Sequence, residues 1–111
     1  MIIEVNQEIL KALGYKTMIA RTGKQAVEIF KNSKDKINMV ILDMIIPGMG
    51  GGEAYDSLKK IDPKIKVLLS SGYSISGQAA GILERGCNGF IQKPFKLREL
   101  SVKIRDVLDG K

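Results

Sequence analysis

Three polar residues of this chain stand where apolar runs of strand length end, and their side chains suit phosphoryl chemistry. Asp43 ends the run 39–42, Ser71 follows a second run and Lys93 follows a third. A carboxylate can attack phosphorus, a hydroxyl can hydrogen-bond a phosphoryl oxygen, and an ammonium can neutralise the developing charge. In a parallel α/β sheet the carboxyl ends of the strands open onto one crevice. The three residues together therefore suggest an aspartyl-phosphate site.

Helix and strand patterns alternate along the chain and would position these residues. Thr22 stands three residues before Gln25, an arrangement that predicts a helix start. Gly77 and Gly81 each lower the helix propensity of their segment by roughly 1 kcal/mol. Four strands alternating with five helices predict parallel βαβ units with right-handed crossovers. The predicted strands are 15–20, 39–43, 66–70 and 90–92, and the predicted helices are 2–13, 22–32, 53–61, 76–85 and one from 97 onward.

Length and composition favour one small α/β domain over residues 1–111. The chain has 44% hydrophobic residues, which suffices for a compact core. It shows no apolar stretch near the roughly 20 residues that cross a bilayer and no export signal, so we expect a soluble, cytoplasmic protein without a membrane partner. Because there is one cysteine and no histidine, zinc sites of the Cys/His kind and histidine triads are excluded. Cys87 is interpreted as a small buried hydrophobe.

The net charge of +6 does not predict a nucleic-acid partner. The basic residues are scattered and usually sit beside acids, as in Glu84-Arg85, which is typical of solvated helix faces. The glycine-rich loop 48–52 lacks the Gly-Lys-Ser/Thr ending of a P-loop and does not match the dinucleotide fingerprint. We therefore expect this loop to turn the chain after Pro47 and to bind no nucleotide.

Three segments carry a resemblance to a known family. They are 40–51, 67–74 and 89–95, which include the strand ends described above. The chain resembles the receiver domain of two-component response regulators and hybrid histidine kinases over essentially its whole length. The resemblance implies a flavodoxin-like, doubly wound parallel sheet.

The resemblance also implies roles for four residues. Asp43 would be the phosphoacceptor, Ser71 the switch hydroxyl, Lys93 the cation that contacts the phosphoryl group and Phe90 the aromatic switch residue. Each has a simpler interpretation, since a strand-end aspartate is often a turn residue and a strand aromatic is usually core. The joint occurrence in the right order favours the receiver interpretation.

Two further features follow from the same resemblance. The Lys93–Pro94 peptide bond would be cis, which proline permits at roughly 0.5 to 1 kcal/mol. Asp43 and the backbone carbonyl of Ile45 would contribute to a Mg²⁺ site.

The amino terminus is where the chain departs from the family pattern. Receiver domains begin with a strand whose end carries two acidic residues that hold Mg²⁺, whereas this chain is expected to begin inside the first helix. Glu4 and Glu8 would lie on that helix, so the acidic pair would be absent. Mg²⁺ prefers octahedral oxygen coordination with carboxylate help. We therefore expect weak Mg²⁺ binding and poor phosphorylation.

A missing first strand would also leave the sheet incomplete. In the strand order 2-1-3-4-5 the first strand lies between the second and the third, so its absence would leave a slot between segments 15–20 and 39–43. The two strands could close on each other, a second copy could supply the pairing as a homodimer or strand-exchanged oligomer, or the chain could be a truncated fragment of a longer protein. The sequence does not choose among these.

The predicted function is a phosphoacceptor module of a two-component phosphorelay. A histidine kinase or phosphotransfer protein would supply the phosphoryl group to Asp43, and segment 71–74 resembles receivers attached to hybrid kinases. Catalysis would be limited at most to self-phosphorylation and dephosphorylation at Asp43. The alternative is a receiver-like interaction or dimerisation module that is not phosphorylated.

Overall fold

The structure of the protein is a computed structural model that describes residues 1–5, 14–44, 51–72 and 78–110, with only the backbone described for Lys34, Gly51 and Gln78. Within these ranges the chain forms five strands, four α-helices and one 3₁₀ turn. In chain order they are β1 Ile2–Val5, β2 Thr17–Ala20, α1 Gly23–Ser33, the 3₁₀ turn Lys34–Lys36, β3 Met39–Asp43, α2 Gly51–Ile61, β4 Lys66–Ser71, α3 Gln78–Glu84, β5 Gly89–Gln92 and α4 Leu97–Asp109.

The five strands form one parallel sheet in the order β2-β1-β3-β4-β5. This is the flavodoxin-like order of doubly wound α/β domains, so the fold class predicted from the sequence is confirmed. The bounds of β3 are those predicted. Strand β4 extends one residue beyond the prediction to include Ser71, and β2 begins at Thr17, two residues later than expected.

The prediction of four strands was wrong, because residues 2–5 form a strand and not the start of a helix. β1 pairs with β2 from Ile2 opposite Thr17 to Val5 opposite Ala20, and with β3 from Ile2 opposite Met39 onward. All four residues of β1 are buried. An interior strand that is covered on both faces shows no alternation of polar and apolar residues. Ile2 and Val5 are three residues apart, and over so short a segment this spacing fits a helix as well as a strand.

With β1 in place, the slot expected between β2 and β3 is filled. The amide of Ile2 donates to the carbonyl of Lys16 at 2.9 Å, and the amide of Asn38 donates to the carbonyl of Met1 at 2.8 Å. Strand exchange is therefore not needed to pair these edges. Glu4 lies in β1 and not on a helix, whereas Glu8 and the rest of the predicted first helix, residues 6–13, lie outside the described residues.

The start of α1 follows the predicted capping pattern. The amide of Gln25 donates to Oγ1 of Thr22 at 3.0 Å, and Oε1 of Gln25 accepts from the amide of Arg21 at 2.7 Å. The glutamine side chain thus reaches back to the residue before the N-cap. One amide of the first turn, that of Gln25, and the amide of Arg21 before the helix are satisfied in this way.

Two apolar clusters cover the two faces of the sheet. The first lies under α1, α2 and α3 and includes Val40, Leu42, Val67 and Leu69 from the strands with Phe30, Tyr55, Leu58 and Ile82 from the helices. The second lies under α4 and includes Ile2, Met39, Ile41, Leu68 and Ile91 with Leu100, Ile104 and Val107. Strand residues alternate between the clusters because successive side chains point to opposite faces. The helices thereby hold the strand ends in register.

Cys87 belongs to the margin of the first cluster. Its Sγ lies 3.3 Å from the carbonyl oxygen of Val67 and 3.6 Å from that of Gly89. Burial raises the pKa of its thiol, so the side chain is held in the neutral form that suits packing. Among the described helices, none has the length and apolar character that crossing a membrane would require.

Two glycines near the end of α3 should respond to alanine in opposite directions. Gly81 lies in the helix interior and a Cβ there would approach only Nη1 of Arg85 at 3.8 Å, whereas Gly86 has φ of +103°. We expect Gly81→Ala to stabilise the domain by about 0.5–1 kcal/mol and Gly86→Ala to destabilise it by about 1–2 kcal/mol. Urea unfolding measures both, and equal effects of the two substitutions would contradict this account of α3.

Candidate functional site at the carboxyl edge

The three residues singled out from the sequence converge at the carboxyl edge of the sheet. Asp43 ends β3 opposite Ser70, and Ser71 ends β4 opposite Gln92. The amide of Lys93 donates to the carbonyl oxygen of Ser71 at 2.7 Å. The β4–β5 pairing therefore extends one residue past β5 and places Lys93 beside the end of β4, from where its side chain reaches Asp43 at the end of β3.

An ion pair joins Asp43 to Lys93. Nζ of Lys93 donates to Oδ2 of Asp43, and the side chains are 33% and 6% exposed respectively. A carboxylate this deeply buried is costly unless a cation and hydrogen bonds compensate it. Lys93 supplies that cation from the end of β5, across the intervening β4, while a third of its own side chain stays in contact with solvent.

Two buried serines also lie at this edge. Ser70 is fully buried and Ser71 nearly so, and the carbonyl oxygen of Ser70 accepts from the amide of Met44 at 2.9 Å. Ser71 was expected from the sequence to belong to the site, whereas Ser70 was not. The register with Asp43 is what makes Ser70 a neighbour of the carboxylate, and that register follows only from the folded sheet.

Phe90 lies in β5 opposite Leu69, and its half-buried side chain packs against the first cluster. Alternation along β4 and β5 puts Phe90 on the same face of the sheet as Ser71. The placement fits both interpretations made from the sequence, a core aromatic and a switch residue.

The Lys93–Pro94 peptide bond is cis. This bond joins Pro94 to Lys93, whose amide donates to the carbonyl oxygen of Ser71 and whose Nζ donates to Oδ2 of Asp43. The backbone carbonyl of Ile45, expected to contribute to a Mg²⁺ site, lies outside the described residues.

The described residues do not by themselves fit a Mg²⁺ site. Within them no group of three or more acidic or cysteine side chains could hold a metal ion. Asp43 carries the carboxylate at the end of β3 and is already ion-paired. Glu4 is buried inside β1, one residue before its end, and Asn6 and Gln7, which follow β1 in the sequence, are not acidic. Mg²⁺ prefers an octahedral oxygen shell, and the described acids Asp43 and Glu4 do not supply one by themselves.

The fold and this edge together define a doubly wound α/β domain with a polar site at the carboxyl ends of β3, β4 and β5. The chain belongs to the response regulator receiver domain family, whose model matches residues 1–105. Receiver domains of this family are phosphoacceptor modules of two-component systems, and the relatives support that function for this chain.

Individual relatives agree with this assignment. The chain is 33% identical over 101 residues to sporulation initiation phosphotransferase F of Bacillus subtilis, covering 91% of this chain and 80% of that protein. It is 30% identical over 100 residues to sensor kinase CckA of Brucella abortus, covering 90% of this chain and 11% of the kinase.

A solved structure gives the same result. The CheY-like receiver domain protein of Methanospirillum hungatei JF-1 is 28% identical and superposes with a TM-score of 0.85, covering 98% of this chain and 93% of that one. Because the chain spans only 11% of the sensor kinase, what the larger relatives do as whole proteins does not transfer directly.

The ion pair between Asp43 and Lys93 is expected to stabilise the folded domain. We expect Lys93→Gln to lower the free energy of unfolding by about 1–3 kcal/mol, because it leaves the buried Asp43 carboxylate without its cation. Urea unfolding at neutral pH measures the loss. Lys103→Gln is the control, since Lys103 is an exposed lysine of α4.

A double-mutant cycle separates the pair from the loss of charge alone. Asp43→Asn combined with Lys93→Gln should cost less than the sum of the two single variants, by about 1 kcal/mol. Strict additivity would show that the two side chains do not interact in solution.

Proposed function

We propose that Asp43 is the phosphoacceptor of this receiver domain and that Lys93 and Ser71 act on the transferred phosphoryl group. The ion pair between Lys93 and Asp43 is the observation that carries the proposal. It places a cation against the carboxylate oxygen at the edge where receiver chemistry is expected.

The chemistry follows from these groups. The attacking oxygen of Asp43 forms a bond to phosphorus while the bond from phosphorus to a phosphohistidine nitrogen breaks, and the histidine leaves with the bonding electrons and takes up a proton. The product is an acyl phosphate that carries about −1.5 to −2 charge at neutral pH. Lys93 offsets part of that charge, and the Ser71 hydroxyl is placed at the end of β4 to hydrogen-bond a phosphoryl oxygen.

Phe90 is the residue that would transmit the change at Asp43 and Ser71 to the surface of the domain. It shares a face with Ser71 and lies half-buried on β5. A shift of the Ser71 side chain toward the phosphoryl group would open space for the ring and change the surface formed by α3, β5 and α4. The domain would then signal by protein contact.

The partner is inferred from the family. Receiver domains act with histidine kinases and phosphotransfer proteins, and one relative is itself a sensor kinase. We infer that a phosphohistidine of such a partner is the donor, that residues 1–111 act as one receiver module, and that this exchange takes place in the cytoplasm.

Phosphorylation is tested by intact mass after incubation with a small phosphodonor and Mg²⁺. We expect one phosphoryl adduct, its loss on treatment with hydroxylamine as an acyl phosphate requires, and no adduct on Asp43→Asn. Glu99→Gln, which removes an exposed carboxylate of α4, should leave the adduct unchanged.

The same experiment decides the alternative function. No adduct on the unsubstituted chain at high donor and high Mg²⁺ would contradict the proposal and favour a receiver-like interaction module that does not use phosphorylation. An adduct that persists on Asp43→Asn would place the chemistry at a different residue.

We propose further that Mg²⁺ binds this chain weakly. The support is the donor set described above, in which the residues following β1 are the neutral amides Asn6 and Gln7. Ligand charge and number set the affinity of oxygen sites for divalent cations. Asn6→Asp adds a charge at nearly constant size, and Gln7→Asp adds a charge on a side chain that is one carbon shorter.

Calorimetric titration of the unphosphorylated protein with Mg²⁺ tests this. We expect the double variant Asn6→Asp with Gln7→Asp to bind Mg²⁺ about tenfold more tightly than the unsubstituted chain. Asn32→Asp, which adds an acid on the exposed side of α1, should change nothing. Tight binding by the unsubstituted chain, or no gain in the double variant, would contradict the proposed role of these two positions.

A further inference from the structure

A pocket lies at the opposite edge of the sheet from Asp43. It has a volume of about 750 Å³ and lies between the end of α2, the turn before β4 and the end of α3. The six residues of β4 separate the two edges by about 20 Å at 3.3 Å a residue. The pocket is lined by Tyr55, Asp56, Lys59, Lys60, Pro63 and Arg85, none of which belongs to the site described above.

The pocket has a net positive charge. Lys59, Lys60 and Arg85 contribute three cations against the one carboxylate of Asp56. Its volume is within the range of small-molecule sites, about 300–1,000 Å³. Three cations against one carboxylate in the lining favour a ligand of negative charge.

Two of the cations are held in place by the fold. The buried Tyr55 ring has Nζ of Lys59 at 5.7 Å and Cζ of Arg85 at 5.8 Å from its centroid. Lys59 also donates to the carbonyl oxygens of Pro63 at 3.3 Å and Ile65 at 2.9 Å. Pre-positioned cations lose little conformational freedom when a ligand binds.

The pocket also keeps donors available. Lys60 is exposed in the last turn of α2, and within the described part of the chain its side chain makes no hydrogen bond or ion pair. Nη2 of Arg85 pairs with Asp56 at 3.1 Å, with both side chains about half exposed. The remaining N–H groups of the guanidinium can therefore bind a second acceptor. The hydrogen bonds from Lys59 to Pro63 and Ile65 stabilise the turn before β4. Stabilising this turn does not require a cation at Lys60, and it does not account for the concave shape of the pocket.

We propose that this pocket binds a small multivalent oxyanion, of the phosphate-ester or polycarboxylate class. Lys60 and the free N–H groups of Arg85 would hold it, and Asp56 would compete with it for Arg85. The competing carboxylate gives the proposal its sharpest consequence, because removing an acid and removing a base from the same pocket must act in opposite directions.

The test is a titration with pyrophosphate and, separately, with citrate, followed by amide chemical shifts at constant ionic strength in Mg²⁺-free buffer. Saturable shifts should centre on Lys60, Arg85 and Gly86. We expect Lys60→Gln to weaken binding about threefold and Asp56→Asn to strengthen it about threefold, as for a single partly screened charge contact. The tighter of the two probes identifies the phosphate or the carboxylate class.

Lys64→Gln is the matched control. Lys64 is an exposed lysine of the turn between α2 and β4, four residues after Lys60, and does not line the pocket. Lys64→Gln therefore removes the same charge at nearly the same place. Equal weakening by Lys60→Gln and Lys64→Gln would show a diffuse charge effect and overturn the proposal. So would the absence of saturable shifts at millimolar probe, or shifts centred on Lys93.

Discussion

The central position of β1 is the constraint on which the rest of the sheet depends. β1 is the strand that joins β2 to β3, with pairing along its whole length to β2 and from Ile2 to Glu4 on β3. Unpaired backbone groups in a buried strand are costly, so a sheet without β1 would have to expose or rearrange both of these edges. Its side chains also join the two clusters, because Ile3 and Val5 pack on one face and Ile2 on the other. Four residues therefore hold β2 and α1 in register with the strands that carry the site.

The polar edge depends on that register in turn. Asp43, Ser71 and Lys93 come from three strand ends that are far apart in sequence, and the parallel ladder from β3 to β5 brings them together. The bond from the Lys93 amide to Ser71 extends this ladder and places the lysine against the carboxylate. The buried charge is tolerated because its counter-charge is fixed by the backbone. The geometry of the site therefore depends on the pairing of the strands.

The sequence predicted the parts of this arrangement that depend on local signals. The apolar run ending at Asp43 has strand length and a clear stop, and β3 has the bounds expected from it. β1 was missed because the run Ile2 to Val5 fits helical and buried-strand spacing equally well, and only pairing on both sides distinguishes them. Ser70 beside Asp43, and the pocket around Tyr55, arise from contacts between distant elements. No local pattern could have predicted them.

The charge balance of the edge follows from what the described residues place there. Asp43 and Lys93 form a neutral pair, and Glu4, which lies opposite Ile41 of β3, is buried one residue short of the end of β1. A site with several carboxylates repels an incoming phosphoryl group unless a metal neutralises them, since like charges at close range cost several kcal/mol at low dielectric. With the ion-paired Asp43 as the proposed phosphoacceptor, this repulsion would be smaller, and Lys93 would have to offset both the carboxylate and the new charge. Among the described residues, the proposal therefore makes this lysine the group that limits how much negative charge the edge can hold.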